Sequence, residues 1–321
     1  MIIGRNTAGK TNLIESIYLL STGKSFRTDR DPQMLKLNEE VGRVKGKIPD
    51  YELEVVVTNG QVGGQRAMPK RFLVNGVSKR RIDFEGILNA VLFSPQELEI
   101  IIGTPSLRRN FFDDVLEQID REYRVALLEY SKSLRQRNAL LSLAKDTGRR
   151  SDEQFEYWDS LLISNGQLIT KKREELIEKI NKAKKDIFDF QMIYDKSEIS
   201  PSRLLQYKEA EVGAGVTLVG PHRDDFYLLI GKTDNDIRSF GSRGQQRLAI
   251  LQLKVLQMDV IEKAIDKKPI LLLDDIFSEL DAQHIDLVWS LNHGGQTIIT
   301  TTHAEFKPKK MKDIEMIELA K

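Results

Sequence analysis

Eight residues near the amino end, Gly4-Arg5-Asn6-Thr7-Ala8-Gly9-Lys10-Thr11, follow the spacing G-x-x-x-x-G-K-[ST] in full. Phosphate oxygens need several donors at close range. Glycines let backbone N–H groups turn inward, and let a helix start directly beneath the anion. Lys10 can then place its ammonium on the outer phosphates, and the Thr11 hydroxyl can ligate Mg²⁺. Such a loop needs an acidic partner for the metal. Ile270-Leu271-Leu272-Leu273-Asp274-Asp275 supplies one: four apolar residues, then two carboxylates at the exposed end of a buried strand. Adjacent carboxylates there are costly unless they meet a cation or a polarised water. Asp274 is assigned to magnesium, directly or through water, and Asp275 to orienting or deprotonating an attacking water. A helix N-cap accounts for one of these acids but not readily for both.

Three weaker signals accompany this pair. Ser239-Phe240-Gly241-Ser242-Arg243-Gly244-Gln245-Gln246-Arg247 is a small-residue turn before a long helical pattern, a second place where free N–H groups can meet an anion. Capping turns of this kind are common, so it carries little alone. Ser278-Glu279-Leu280-Asp281 follows the acidic strand closely, and Thr300-Thr301-Thr302-His303 ends the last apolar strand. His303, at the carboxyl end of a parallel strand, is a candidate for contact with the outer phosphate.

The elements that must hold these residues are legible in outline. The pattern predicts a helix over residues 11–20, with Leu13, Ile17 and Leu20 on one face. From residue 41 to 80 the period is two, and Asn75-Gly76 reads as a hairpin turn, so an antiparallel β lobe is expected. Ala90–Phe93 reads as a buried strand ended by Ser94-Pro95. Residues 105–192 read as mostly helical, with 27 charged residues among the 70 of 121–190, so their faces are expected to be solvated. Leu127, Tyr130 and Leu134 form one stripe, and Leu176, Ile180, Ala183 and Ile187 another; Thr147-Gly148 is the turn between two helices. Intramolecular packing is the better reading of both stripes, since neither runs for several heptads. Val216–Val219 and Phe226–Ile230 read as strands, 247–262 as an amphipathic helix with Leu248, Leu251, Val255 and Met258 on its apolar side, and Thr297–Thr300 as a buried strand. The chain starts late: Met1-Ile2-Ile3 is short for a first strand, so the expectation is an upstream start or a truncated form.

Composition limits the function classes. The chain has 321 residues, 40% hydrophobic and 30% charged, enough for about two domains and against global disorder. Forty-nine Lys and Arg face 48 Asp and Glu, so any basic surface must come from uneven distribution. With no cysteine, disulfides, thiolate zinc sites and cysteine nucleophiles are excluded. No apolar run approaches a membrane span and no signal peptide is present, so a cytoplasmic protein without membrane attachment is the default.

In order, the phosphate loop, Ser242-Arg243-Gly244-Gln245-Gln246, Leu271–Asp275, Ser278-Glu279-Leu280-Asp281 and His303 resemble the motif series of the ABC-type ATPases. The match is closer to the RecF family within that superfamily. Ser25-Phe26-Arg27, Leu92-Phe93-Ser94-Pro95, Arg108-Arg109-Asn110-Phe111-Phe112-Asp113, Leu134-Arg135-Gln136-Arg137-Asn138 and Gly220-Pro221-His222-Arg223-Asp224-Asp225 all look like that family, the last most specifically. Two departures stand out: the pair of strands that precedes the loop in RecF-like chains, and Gln96, where the family usually has an acid.

The resemblance implies an α/β fold: an ABC-type P-loop head over 1–104 and 201–321, with the β lobe at 41–80 and a helical arm inserted at 105–200. It implies ATP and Mg²⁺ as cofactors, with Gly4, Arg5, Asn6, Thr7, Ala8, Gly9, Lys10 and Thr11 around the nucleotide. Ser242, Gly244 and Gln245 would reach the nucleotide of a second copy, Thr11 and Asp274 would hold the metal, and Asp275 and His303 would serve hydrolysis. ATP would join two copies and a slow, weak ATPase would release them. The implied partners are single-stranded and double-stranded DNA and RecR- and RecO-type mediators, in recombinational repair at gaps with links to RecA loading and the SOS response. Candidate basic clusters for DNA are Lys24 with Arg27 and Arg30, Arg135 with Arg137, Arg149-Arg150, and Lys307, Lys309, Lys310 and Lys312; singly, each is better read as a solvated face. The alternatives are the ATP-binding subunit of a transporter and a non-catalytic interaction protein lacking its first strands.

Overall fold

Five short strands form a parallel sheet in the order Ile317–Glu318, Ile2–Ile3, Thr297–Thr301, Ile270–Asp274, Ala90–Phe93. The computed structural model to which they belong describes residues 1–276, 294–302 and 314–319. Ala90–Phe93 is buried at every position and Ile270–Asp274 at all but its first, as continuous apolar runs require when both sheet faces are covered. Ile2–Ile3, short as it is, pairs in parallel on both sides, with Thr300 and Thr301 and with Ile317 and Glu318.

By its internal contacts the chain divides into two compact units, residues 1–97 with 253–321, and residues 98–252. The stretch 105–200 that the sequence suggests as an arm lies inside the second unit, which also takes in 201–252.

In the first unit the helix Lys10–Thr22 starts from the glycine loop and ends at Gly23, whose left-handed backbone (φ 68°) lets its N–H reach Leu19 O at 2.9 Å. Its buried face is Ile14, Tyr18, Leu19 and Leu20, whereas Leu13 is exposed; the face expected from the sequence is rotated by one residue. Ile14 and Tyr18 pack on Ala90, Leu92 and Leu272 of the parallel sheet. Leu19 and Leu20 pack on Leu53, Val55, Val57, Phe72, Val74 and Phe84, the interior of the β lobe. That lobe is an antiparallel sheet in the order Val41–Ile48, Tyr51–Thr58, Lys70–Val74, Val77–Lys79, with Asn75 and Gly76 both at positive φ in the expected turn.

The second unit is built on the helices Pro105–Ile119, Arg121–Thr147 and Asp152–Lys182, together with an antiparallel pair of strands, Phe190–Asp195 and Asp225–Ile230. The helical reading of 105–192 thus overruns: the third helix stops at Lys182, so Ala183 and Ile187 lie beyond it and 190–192 are strand. Leu127 and Leu134 are only half-buried. The buried face of Arg121–Thr147 is instead Tyr123, Ala126, Tyr130, Ser133, Arg137, Leu141 and Ala144. A buried arginine is tolerated there because each arm of its guanidinium is taken: Nε by Asp159 (2.6 Å), Nη1 by Thr217 Oγ1 (2.9 Å) and Nη2 by Glu211 (2.7 Å).

Val216–Val219 is not a strand. Its donors are claimed by side chains: Thr217 N–H and Oγ1–H by Asn138 Oδ1 (2.8 and 2.7 Å), and Leu218 N–H by Glu211 Oε1 (2.9 Å). With those amides committed, no ladder can form. The helix predicted over 247–262 runs from Arg243 to Ile265, and from Ala249 to Ile261 all but Val255 and Asp259 are buried, so it has no single apolar stripe.

His222 sits in this unit, between Tyr130 and the backbone. Its Nε2 lies 3.1 Å from Thr217 O, which can only accept, so Nε2 carries the proton and Nδ1 accepts from the Tyr130 hydroxyl at 2.7 Å. Burial, with the cations of Arg223, Arg109 and Arg137 nearby, pushes the imidazole from 6.5 down to about 4. The unfolded chain therefore takes up this proton more readily than the folded one. The contribution is fully present above pH 6.5 and is lost as pH falls through about 4, up to about 3 kcal/mol at 1.36 kcal/mol per unit. Urea unfolding at pH 7.5 and pH 5 is expected to show the native protein losing more stability than a His222→Gln variant. Equal losses in the two would contradict it.

Candidate functional site

The site begins with a backbone that few residues accept. Thr7 (φ 72°) and Gly9 (φ 94°) are both left-handed, and nothing lies within 4 Å of where a Cβ on Gly9 would stand. The loop so formed is open on that side. Ala8 N–H closes on Arg5 O at 3.2 Å, and Leu13 N–H on Gly9 O at 3.1 Å starts the helix. Four N–H groups at such a start have no partner within the helix, which leaves donors for an anion.

Lys10 is buried, and its ammonium donates to Gly4 O at 2.8 Å and Arg5 O at 3.1 Å, so it arches back over the loop. Thr11 Oγ1 donates to Asp274 Oδ1 at 3.2 Å across 263 positions of sequence. The two residues assigned to the metal are therefore neighbours. The parallel sheet causes this: Ile2–Ile3 feeds the loop, Thr297–Thr301 lies beside it, and Ile270–Asp274 follows with its carboxyl end on the same side. Gly4 N–H donates to Thr301 O at 3.4 Å, which ties the loop to that middle strand.

Thr300 is the residue that sequence reading missed. Fully buried, it donates to Asp274 Oδ1 at 2.7 Å and accepts from Asp275 N–H at 3.1 Å. It fixes the carboxylate that Thr11 also touches. The threonine run 300–302 was the visible signal, but only strand order says which of the three meets Asp274. Asp275 lies next to this group, held at φ 49°, an unusual backbone for a non-glycine residue and one that often marks a site.

The donor set fits a magnesium–phosphate ligand. Magnesium is ordinarily held by one or two carboxylates, a hydroxyl, water and the substrate's own phosphates rather than by an all-protein cage. Thr11 and Asp274 offer one hydroxyl and one carboxylate together. Among the described residues no group of three or more His, Cys, Asp and Glu gathers as a resident metal would need.

Ser242, Gly244 and Gln245 form a separate group at the start of the helix Arg243–Ile265, in the second unit. Gln245 Oε1 accepts from Ser242 N–H at 2.8 Å and Ser242 Oγ accepts from Gln245 N–H at 3.3 Å, a reciprocal cap. Ser242, Arg243 and Gly244 are exposed, as is Phe240 (68%) just before them. His303, Ser278–Asp281 and Lys307, Lys309, Lys310 and Lys312 lie outside the described residues. Of the other basic clusters, Arg137 is removed from the surface by its burial, and Arg150 stacks on Phe155 with its guanidinium carbon 3.9 Å from the ring centre. Arg27 is bound to Asn12 (2.8 Å) and Glu15 (3.3 Å).

The family model described as the RecF/RecN/SMC N terminal domain matches residues 1–319. The DNA replication and repair protein RecF of Lachnospira eligens is 35% identical over 323 residues, covering 95% of this chain and 86% of the relative. The chain belongs to the RecF family. RecF of a Cyanothece species is likewise 35% identical, over 346 residues that cover 100% of this chain and 90% of its own. A solved structure described as the recombination mediator protein RecF-ATP in the RecFOR pathway superposes with a TM-score of 0.85 at 31% identity, covering 99% of this chain and 88% of that one. A second, with RecF-ATPrS, gives 0.83 at 32%, covering 95% and 86%. The fold is thus an ABC-type ATPase head of mixed α/β class, with one parallel sheet and several antiparallel ones, and the role is RecF-like, in DNA replication and repair. This membership leaves the transporter-subunit alternative without support. No described helix is long and apolar enough to cross a membrane.

Proposed function

We propose that the chain is an ATP-gated, DNA-binding switch of recombinational repair. The observation that carries this reading is the 3.2 Å hydrogen bond between Thr11 and Asp274, which joins the phosphate loop to the acidic strand end. When bound, ATP with Mg²⁺ supplies the polyanion and the polarised phosphate that these residues are arranged to meet. Gly4 to Thr11 would cradle the phosphates, with the Lys10 ammonium available to their outer oxygens. Thr11 and Asp274 would hold the metal, with Thr300 keeping the carboxylate aimed. Asp275 would orient the attacking water, and His303, outside the described residues, would serve hydrolysis with it.

Ser242 and Gly244, exposed at their helix start, and the half-buried Gln245 beside them are offered to the nucleotide of a second copy. Neither half-site is then complete alone, and dimerisation follows nucleotide occupancy. An aspartate at position 275 suits slow turnover that times release. The ligand joined in this way is DNA, single- and double-stranded, at gaps. Mediators of the RecR and RecO type, RecA loading and the SOS response follow from the RecF-like role, and the cytoplasm is the compartment.

Light scattering with and without ATP and Mg²⁺ tests the switch. The expected result is a monomer without nucleotide and a dimer with it, and DNA retention in a shift assay that tracks the dimer. A chain that stays monomeric with saturating ATP would sink the reading and favour a non-catalytic interaction protein.

A further inference from the structure

The charge of this chain is unevenly placed. Residues 41–81 carry nine Lys and Arg against three Asp and Glu, net +6, while the whole chain is net +1. The remainder is therefore net negative, and the excess is concentrated in the antiparallel lobe. Alternation along its strands sorts these charges. Gly42, Val44, Gly46 and Ile48 face inward with the lobe's core, so Arg43, Lys45 and Lys47 face out, and all three are exposed. Register carries the pattern across the sheet: Arg43 lies opposite Val56, and Val56 opposite Arg71. Arg71 is exposed on the same outer face, one strand further in.

Two acids share this face. Glu54 takes Arg43 at 3.2 Å and Lys45 at 3.7 Å, and Glu52 takes Lys45 at 2.8 Å. They neutralise part of the comb. Lys47 and Arg71 on this face, and Arg66 on the adjoining hairpin, are exposed and form no ion pair among the described residues; Lys79, opposite the core residue Phe72, belongs to the other face. Edge protection explains charges on Val41–Ile48, which ends the sheet. It does not explain Arg71, which lies on an interior strand.

We infer that the outer face of this lobe is a docking surface for the phosphate backbone of DNA. The inference rests on the proposed DNA-binding function and says where the strand lies. Same-face residues of a strand are spaced about 7 Å apart, so Arg43, Lys45 and Lys47 form a row of cations along which a polyanion can run. The face presents lysine and arginine side chains from neighbouring strands of one sheet. It positions a backbone without reading sequence.

The test is the salt dependence of DNA binding with Lys47→Gln, Arg66→Gln and Arg71→Gln combined; none of the three forms an ion pair among the described residues. Each phosphate contact contributes about 0.9 to the slope of log K against log salt. The variant is expected to lose about three units of slope and more than tenfold in affinity near 0.1 M salt, while ATP still raises its melting temperature. Lys182→Gln with Lys184→Gln, on another part of the chain, is expected to change neither. Arg71→Glu alone gives a second reading, a slope lower by about one. If the native chain does not bind DNA at all, the proposed function fails and this surface with it. If it binds and the threefold variant keeps the full slope, only the surface assignment is wrong. Native binding to phosphatidylglycerol vesicles that DNA does not compete away, but that the threefold variant loses, would overturn it in favour of a lipid surface.

Discussion

Lys10→Met is expected to abolish nucleotide-linked stabilisation. At ATP a hundredfold above its dissociation constant, with Mg²⁺, the native chain gains about 2.7 kcal/mol, a rise of roughly 5 °C in melting temperature. The variant gains none, because the ammonium arching over the loop is lost and methionine offers the outer phosphates nothing. Lys10 also ties Gly4 O and Arg5 O, so the variant starts from a lower melting temperature without nucleotide, by about 1 kcal/mol per lost bond. The comparison that matters is the increment on adding ATP, read by scanning calorimetry. A variant that keeps the full increment would remove the loop from the mechanism.

Arg173→Met is expected to cost the second unit about 3–5 kcal/mol, the penalty for breaking a buried ion pair from one side. Arg173 is buried, and every arm of its guanidinium is used: Nη1 on Pro221 O (2.8 Å) and Asp224 Oδ2 (2.9 Å), Nη2 on Asp113 (2.9 Å), Nε on the Tyr123 hydroxyl (3.1 Å). Asp224 also accepts from the Tyr194 hydroxyl and, at 2.7 Å, from Ser197 N–H. Burial pushes the Asp224 carboxyl upward while Arg173, Tyr194 and the Ser197 amide pull it down. Removing the arginine leaves Asp113 and Asp224 without their shared cation, held only by the hydroxyls of Tyr123 and Tyr194 and the Ser197 amide. Urea unfolding measures the loss, and adding Asp224→Asn to the variant is expected to recover part of it. A loss below about 1 kcal/mol would mean that the network contributes little.

The parts of this protein that were legible in its sequence are those whose geometry is local. The glycine loop is a backbone conformation written in eight consecutive residues, and Asp274 follows a buried run whose length and composition mark a parallel strand. What stayed hidden depends on distant partners. Thr300 joins Asp274 only because their strands are neighbours, and strand order is not written in either segment. Val216–Val219 has the composition of a strand, yet Asn138 and Glu211 take its donors from outside. Arg137, beside Arg135, resembled surface charge. Its three partners come from positions 22 to 80 residues away, and together they allow it inside. Arg71 gave no sign that it continues the basic face begun at Arg43 until register aligned the two through Val56.

The helix Lys10–Thr22 serves two interiors at once: the parallel sheet at Ile14 and Tyr18, and the lobe at Leu19 and Leu20. Its buried side is held from both directions. Lineages that reshape the lobe must do so around an immovable axle, and those that alter the axle disturb the loop at its head. Variation in this half of the chain should therefore collect in the connections and outer faces, Asn12 and Leu13 included, leaving Ile14, Tyr18, Leu19 and Leu20 nearly still over evolutionary time.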